Sequence, residues 1–353
     1  MSFFSKKIID FGDNAVGLSI TDDRVRVAYL EDKIIKNYNS VYLSEGVVVD
    51  GEIIDKEKLF SAIDKALGGA RPKKIKNKKV RIALPESKSF LRLISIPQMD
   101  EKEIDEAIKW EIEGNIPLTL DQVYYDWQLV KDVFIDDGQM KILVLASAKK
   151  VVDQHLEILE EYGLDVISIE SETTALTRSL INENSANKTS FVINVDKNKT
   201  SFLAAVKNVP CFTSSIPISE RNIIGAIAKK FNITDQKAEE IERSDGIGSF
   251  FEDDALFEAI KPVLDGMIAE IKKTMDFYLE GLQYSETIDD IIICGKLSKA
   301  KGLIPYLSRS LNHEVLEGDV RNGIGESAKE LPIINKSDSI KYAIAIGLSL
   351  NNQ

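Results

Sequence analysis

The chain has 353 residues, 44% apolar and 29% charged, which is enough hydrophobic side chain for two folded domains and excludes a disordered chain. Its formal charge of −12 excludes general nucleic-acid binding, which draws on a basic face to displace counterions. Two isolated cysteines, Cys211 and Cys294, exclude a disulfide framework, and neither histidine, His155 nor His313, has a Cys or His at metal-ligand spacing. At the N-terminus Lys6 and Lys7 interrupt Phe3, Phe4, Ile8 and Ile9, a stretch too short and too charged for a signal peptide. No apolar run reaches the roughly 18 residues of a membrane-spanning helix. A reducing, cytoplasmic setting is expected.

Asp10–Gly12 spells DFG without the Gly-rich loop, HRD loop or strand lysine of a kinase, and is read as coincidence. Val16–Leu30 reads as a strand, a polar turn at Thr21–Arg24 and a second strand. Gly46–Asp55 alternates apolar and acidic residues around Gly51, and Lys56–Leu67 is a predicted helix with Leu59, Ile63 and Leu67 on one face. Arg71–Lys79 holds six basic residues in nine. It is either a solvated connector or a patch that leans on anionic lipid, where each cation contributes about 1 kcal/mol.

Strands follow at Val80–Leu84 and Phe90–Ile96, stopped by Pro85 and Pro97. Asp100 and Glu103 form a capping box for a helix to Glu113, with Ile104, Ala107, Ile108 and Ile112 inward and Trp110 on the flank. Gly114 ends that helix and Pro117 follows. Strands at Val123–Val130 and Met140–Ser147, a helix at Val151–Tyr162 stopped by Gly163, and a strand at Val166–Ile169 complete an α/β unit over 31–168, read as an insertion after the first hairpin. Asn182–Lys188 is a polar loop. A second hairpin, Phe191–Val206, turns at Asp196–Lys199. Helices are predicted at Ser219–Phe231, with Ile223, Ile224, Ile227 and Phe231 inward, at Thr234–Arg243 and at Ala255–Leu282 around Pro262. Ile288–Gly295 is a buried strand and Ile340–Leu350 an apolar helix.

The two hairpins start roughly 175 residues apart, and repetition at that scale comes first in a fold argument. A similar hairpin opens each half of an actin-like ATPase. GVVVDGEIID at Gly46–Asp55, Leu84-Pro85, IKWEIEGNIPLTLDQV at Ile108–Val123, ASAKKVVD at Ala146–Asp153 and YAIAIGLSL near the C-terminus keep their order along the chain. With them the sequence resembles the type IV pilus assembly protein PilM family, relatives of the division protein FtsA. The resemblance implies an α/β, actin-like (ribonuclease-H-type) two-domain fold with an inserted small α/β subdomain. Residues 1–30, 169–188 and 338–353 would form the first half, 31–168 the insert and 189–337 the second half.

The resemblance also implies a nucleotide site, from which this sequence departs. The family's first phosphate turn carries an Asp two residues before a Gly; here those positions hold Ser19 and Thr21, and in the second turn Asn194 and Asp196. The ribose-side helix pair, a glutamate and a lysine, becomes Glu239 and Glu242, and the glycine run becomes Gly295-Lys296-Leu297. Glycine lets backbone N–H groups reach phosphate, and Mg²⁺ needs anionic oxygen. Weak or absent ATP/Mg binding and no enzyme activity are expected. The implied role is a scaffold of pilus assembly that binds the N-terminal tail of a PilN-like inner-membrane protein, and other pilus alignment proteins with it. The tail would dock where the insert meets the first half, near Trp110, Ile116 and Pro117. The alternative is an actin-like ATPase that assembles or switches with nucleotide.

Overall fold

In the computed structural model, residues 14–115, 118–130, 138–181, 188–248, 254–282, 287–325 and 334–350 are described. Ile116, Pro117, the DFG tripeptide and most of the 182–188 loop lie outside them. The chain forms two units, one from residues up to 186 with 207–213 and 319–353, the other from 187–206 and 214–318.

In the first unit the alternating pattern of the first hairpin becomes β1 (Val16–Ile20) against β2 (Arg24–Glu31), in register from Val16↔Tyr29 to Ile20↔Val25. Ile34–Tyr42 (β3) continues the meander. Val48–Val49 (β4) and Glu52–Ile53 (β5) make a small hairpin around Gly51. Lys56–Gly68 (α1) is capped by Asp55, which accepts the Lys58 amide. Lys79–Leu84 (β6) lies parallel to β1.

The chain then leaves this sheet. Ser89–Pro97 (β7), Val123–Val130 (β8) and Gln139–Ala148 (β9) pair antiparallel in the order β7-β9-β8, with the helix Glu101–Asn115 (α2) on one face. Ile104, Ile108 and Ile112 of α2 bury against Ile94, Ile96, Ile142 and Val144. After Lys149–Tyr162 (α3) the chain returns as Asp165–Ser171 (β10), parallel to β6, giving the order β10-β6-β1-β2-β3. Strand pairing therefore draws the insertion elsewhere than 31–168. β3, β6 and β10 belong to the first hairpin's own sheet, whereas β7, β8 and β9 pair in another. Sequence alternation identified these strands but not their partners.

The helix Glu172–Leu180 (α4), which the sequence patterns did not predict, packs with the C-terminal helix Ala343–Ser349. Small residues permit the approach: a Cβ on Gly17 would lie 1.8 Å from the Ala345 carbonyl oxygen, and one on Gly347 would lie 1.9 Å from that of Ala175. On the other face, Val16, Leu18 and Ile20 join Leu59 and Ile63 of α1 and Leu159 of α3 in one core.

The second hairpin is Thr189–Val195 (β11) and Thr200–Val206 (β12), buried throughout, with Phe191 stacked on Phe202 at 5.9 Å between centroids. Val209–Ile216 (β13) follows, and its Phe212, in the first unit, pairs with Arg92 of β7. The second unit carries the helices Glu220–Phe231 (α5), Asp235–Asp245 (α6) and Ala255–Asp276 (α7), the last with Pro262 inside it. Asp290–Gly295 (β14) lies parallel to β11, Leu303–Leu311 (α8) follows, and Val315–Glu317 (β15) pairs parallel with β14. Ile223, Ile224 and Ile227 face inward as expected, but Phe231 is 40% exposed. It is the last residue of α5, just before the left-handed C-cap Asn232, where the chain turns away. Likewise α2 runs through Gly114 to Asn115.

Candidate functional site

The two hairpin turns are built alike. Thr21 N–H donates to the Arg24 carbonyl at 2.9 Å, and Asp196 N–H donates to the Lys199 carbonyl at 3.0 Å. Ser19 and Asn194 thus hold equivalent places, each buried, opposite Arg26 and Ser201 respectively.

The polar groups of the first turn are engaged locally. Thr21 donates its hydroxyl to Asp23 Oδ1 at 2.9 Å and accepts from Arg26 at 3.4 Å. The Asp22 carboxylate accepts the Asp50 and Gly51 amides at 3.2 and 3.3 Å, tying the β4–β5 turn to this one. The turn offers no glycine, and the carboxylates at Asp22 and Asp23 oppose a polyphosphate.

The second turn is engaged in the same way. Asn194 Nδ2 donates to Asp196 Oδ2 at 3.0 Å. Burial, and then the charge of Asp196, hold the Cys294 thiol well above its ordinary pKa, so it stays protonated and donates to Asn194 Oδ1 at 3.5 Å. The first amides of α5 are spent on the turn as well: Glu220 N–H donates to the Asp196 carbonyl at 3.2 Å and Arg221 N–H to that of Lys197 at 3.1 Å. A helix N-terminus is a natural anion seat because such amides are free; these two are not. Neither set of residues fits Mg-ATP. The donor set lacks a carboxylate at Ser19 and Asn194, and Asp196 has its own internal partner.

Beside the second turn lies a charge cluster. Gly295 adopts φ +84°, and a Cβ there would sit 2.5 Å from Asn194 Oδ1 and from the Val195 carbonyl oxygen. The next residue, Lys296, places Nζ 2.7 Å from Glu220 Oε2 and 3.0 Å from Glu239 Oε1. Glu239 also pairs with Arg243 at 2.6 Å. Burial opposes the Lys296 charge, but Glu220 and Glu239 outweigh it and raise its pKa. Burial, and after it the charge of Glu220, push the buried Glu242 up to about 7. Within the second unit the structure brings Asn194, Asp196, Glu239 and Gly295 together around Lys296. It adds Glu220, which no sequence signal marks because it reads as an ordinary first-turn glutamate.

A narrow recess opens in the first unit where β8 and β9 meet β6, α3 and β10. Its walls are Leu84, Tyr124, Leu145, Val152 and Ile169, with Ser147 and Glu170 as polar groups. Side-chain alternation along β8 fixes which face this is. Tyr125 reaches α2, donating to Asp105 at 3.0 Å, whereas Tyr124 reaches α3, donating to Asp153 at 3.1 Å. The recess therefore lies on the sheet face away from α2. Trp110 is on the outer side of α2 and 74% exposed, so it does not line the recess. Sequence reasoning found the aromatic residue and missed the recess, whose walls come from five separate elements.

A family model described as type IV pilus assembly protein PilM matches residues 9–353. The solved structure of a PilM–PilN type IV pilus biogenesis complex is similar with a TM-score of 0.78 at 22% identity, covering 96% of this chain and 98% of the other. The ethanolamine utilization protein EutJ from Carboxydothermus hydrogenoformans is similar with a TM-score of 0.59 at 13% identity, over 99% and 94% of the two chains. MreB5 of Spiroplasma citri bound to AMPPNP is similar with a TM-score of 0.52 at 13% identity, over 95% of each. At these identities the likeness carries the fold, which is actin-like. No curated protein sequence matches the chain.

Proposed function

The chain belongs to the family of the type IV pilus assembly protein PilM, and on that footing we propose that it is a non-catalytic scaffold of pilus assembly. It binds the N-terminal cytoplasmic tail of a PilN-like membrane protein and is thereby held at the inner face of the cytoplasmic membrane. The observation that carries this reading is the recess walled by Leu84, Tyr124, Leu145, Val152 and Ile169. The recess is shallow and mostly apolar, with Ser147 and Glu170 among its lining, and it suits an extended segment that crosses it and covers its apolar wall. It lies where β8 and β9 meet β6, α3 and β10.

The scaffold reading is preferred to a nucleotide-driven one because of the hairpin chemistry. Asn194 spends its amide on Asp196, and Thr21 its hydroxyl on Asp23. Titration of a labelled tail peptide against the full chain tests the proposal. Leu145→Lys, which puts a charge into the recess, is expected to weaken binding about tenfold or more. Thermal unfolding measured alongside separates lost binding from lost folding. Failure of any tail to bind the wild type ends the scaffold reading.

A further inference from the structure

Arg71, Lys73, Lys74, Lys76 and Lys78 place five cations in eight positions that hold no acid, and all five residues are exposed. Among the described residues none of their side chains makes an ion pair or hydrogen bond. Elsewhere in the same unit, Lys56, Lys58, Lys88, Lys109 and Lys150 all pair with carboxylates. Five cations without a partner among the described residues thus stand close together on a chain of net charge −12.

The segment is fastened rather than loose. Arg71 exchanges both backbone hydrogen bonds with Tyr38, at 3.0 and 3.1 Å, and Ile75 N–H donates to the Leu67 carbonyl at 2.9 Å. The Ile75 side chain is buried in the core under β1. Asn37 donates to the Lys73 carbonyl at 2.7 Å, Asn77 donates to that of Asn14 at 2.8 Å, and Asp165 N–H donates to that of Lys78 at 2.8 Å. The backbone is thus held while the cations project, so little ordering is needed on contact.

We propose that Arg71–Lys78 is a docking ridge for the anionic surface of a phospholipid membrane. A membrane presents a flat sheet of negative charge to one side of the protein. The acidic remainder stays in solution, screened beyond about 8 Å at physiological salt. A nucleic acid would run past the ridge onto that acidic remainder, and 71–78 holds no aromatic residue on which a base could stack.

The test uses the full chain with vesicles of phosphatidylglycerol and phosphatidylcholine, and of phosphatidylcholine alone, in co-sedimentation. The vesicles carry no partner, so the outcome is independent of the tail-binding reading. Binding is expected to the anionic vesicles only and to fall with added salt. The triple variant K73Q/K74Q/K76Q is expected to bind on the order of 100-fold more weakly, with an unchanged thermal midpoint. A charge-matched control on the second unit, K229Q/K230Q/K272Q, is expected to bind as the wild type does. Absence of binding to anionic vesicles at low salt overturns the proposal. So does an equal loss in the control, or equal affinity for a short DNA duplex at the same salt.

Discussion

Gly295 sits where the chain turns from β14 into the charge cluster, and no other residue fits there. A side chain would pay for the left-handed backbone and also meet Asn194 Oδ1 and the Val195 carbonyl at 2.5 Å. Gly295→Ala is expected to lower stability by about 2 kcal/mol or more in urea unfolding. Glu242 gives a different signature. Its folded pKa, about 7, lies above the ordinary value of 4.5, because burial and Glu220 disfavour its charge. Lys296, Arg243 and Glu239 are the other charges facing it. The folded state therefore holds the proton more tightly than the unfolded chain. The associated stability is full below about pH 4.5 and is lost as pH rises through 7, a difference of roughly 3 kcal/mol. Glu242→Gln, which mimics the protonated form, is expected to raise the unfolding free energy at pH 8 and change it little at pH 4.5. A variant effect that is the same at both pH values would mean that Glu242 does not titrate in this range.

At the scale of elements, α2 shows what sequence pattern can and cannot resolve. Its start was legible: Asp100 N–H donates to Glu103 Oε2 at 3.2 Å, the backbone half of the capping box. Its inward stripe was legible too, since Ile104, Ile108 and Ile112 are buried at the expected spacing. Both hairpins, with their turns, were equally plain, because the pattern and the turn residues are local. What stayed hidden depends on distant partners. β3 and β10 read as part of an insertion because nothing local says which sheet a strand joins. Lys296 and Glu220 find one another from separate elements. Ile108→Ala is expected to cost 2–4 kcal/mol, roughly, as a buried truncation. Trp110→Ala, at 74% exposure, is expected to shift stability by no more than about 0.5 kcal/mol. Because Trp110 stands on the outer side of α2, about a 10 Å layer beyond the sheet whose other face lines the recess, tail affinity is expected to change by less than about twofold. A tenfold loss would mean that the tail also runs over α2.

At the scale of the whole molecule, the question is whether an actin-like fold of this composition still works with nucleotide. Each half of such a fold contributes a hairpin, and here both depart from nucleotide chemistry in the same way. The residue two before the turn is neutral in each, Ser19 and Asn194, so neither of these two positions offers Mg²⁺ an anionic oxygen. Both turns also carry acids, Asp22 and Asp23 in one and Asp196 in the other, which repel a phosphate chain. The amides of Glu220 and Arg221, at the start of α5, are already bonded to turn carbonyls. Purified full chain is expected to show no Mg²⁺-dependent ATP hydrolysis above background, and calorimetry with Mg-ATP little or no heat of binding. A single Ser19→Asp or Asn194→Asp replacement is not expected to restore turnover, because each turn keeps its other acids and its internal hydrogen bonds. Micromolar binding of Mg-ATP to the wild type, or hydrolysis lost on Thr21→Ala, would return the chain to the nucleotide-switched class. That outcome would leave tail binding in the recess to be explained as one state of a cycle rather than as a fixed attachment.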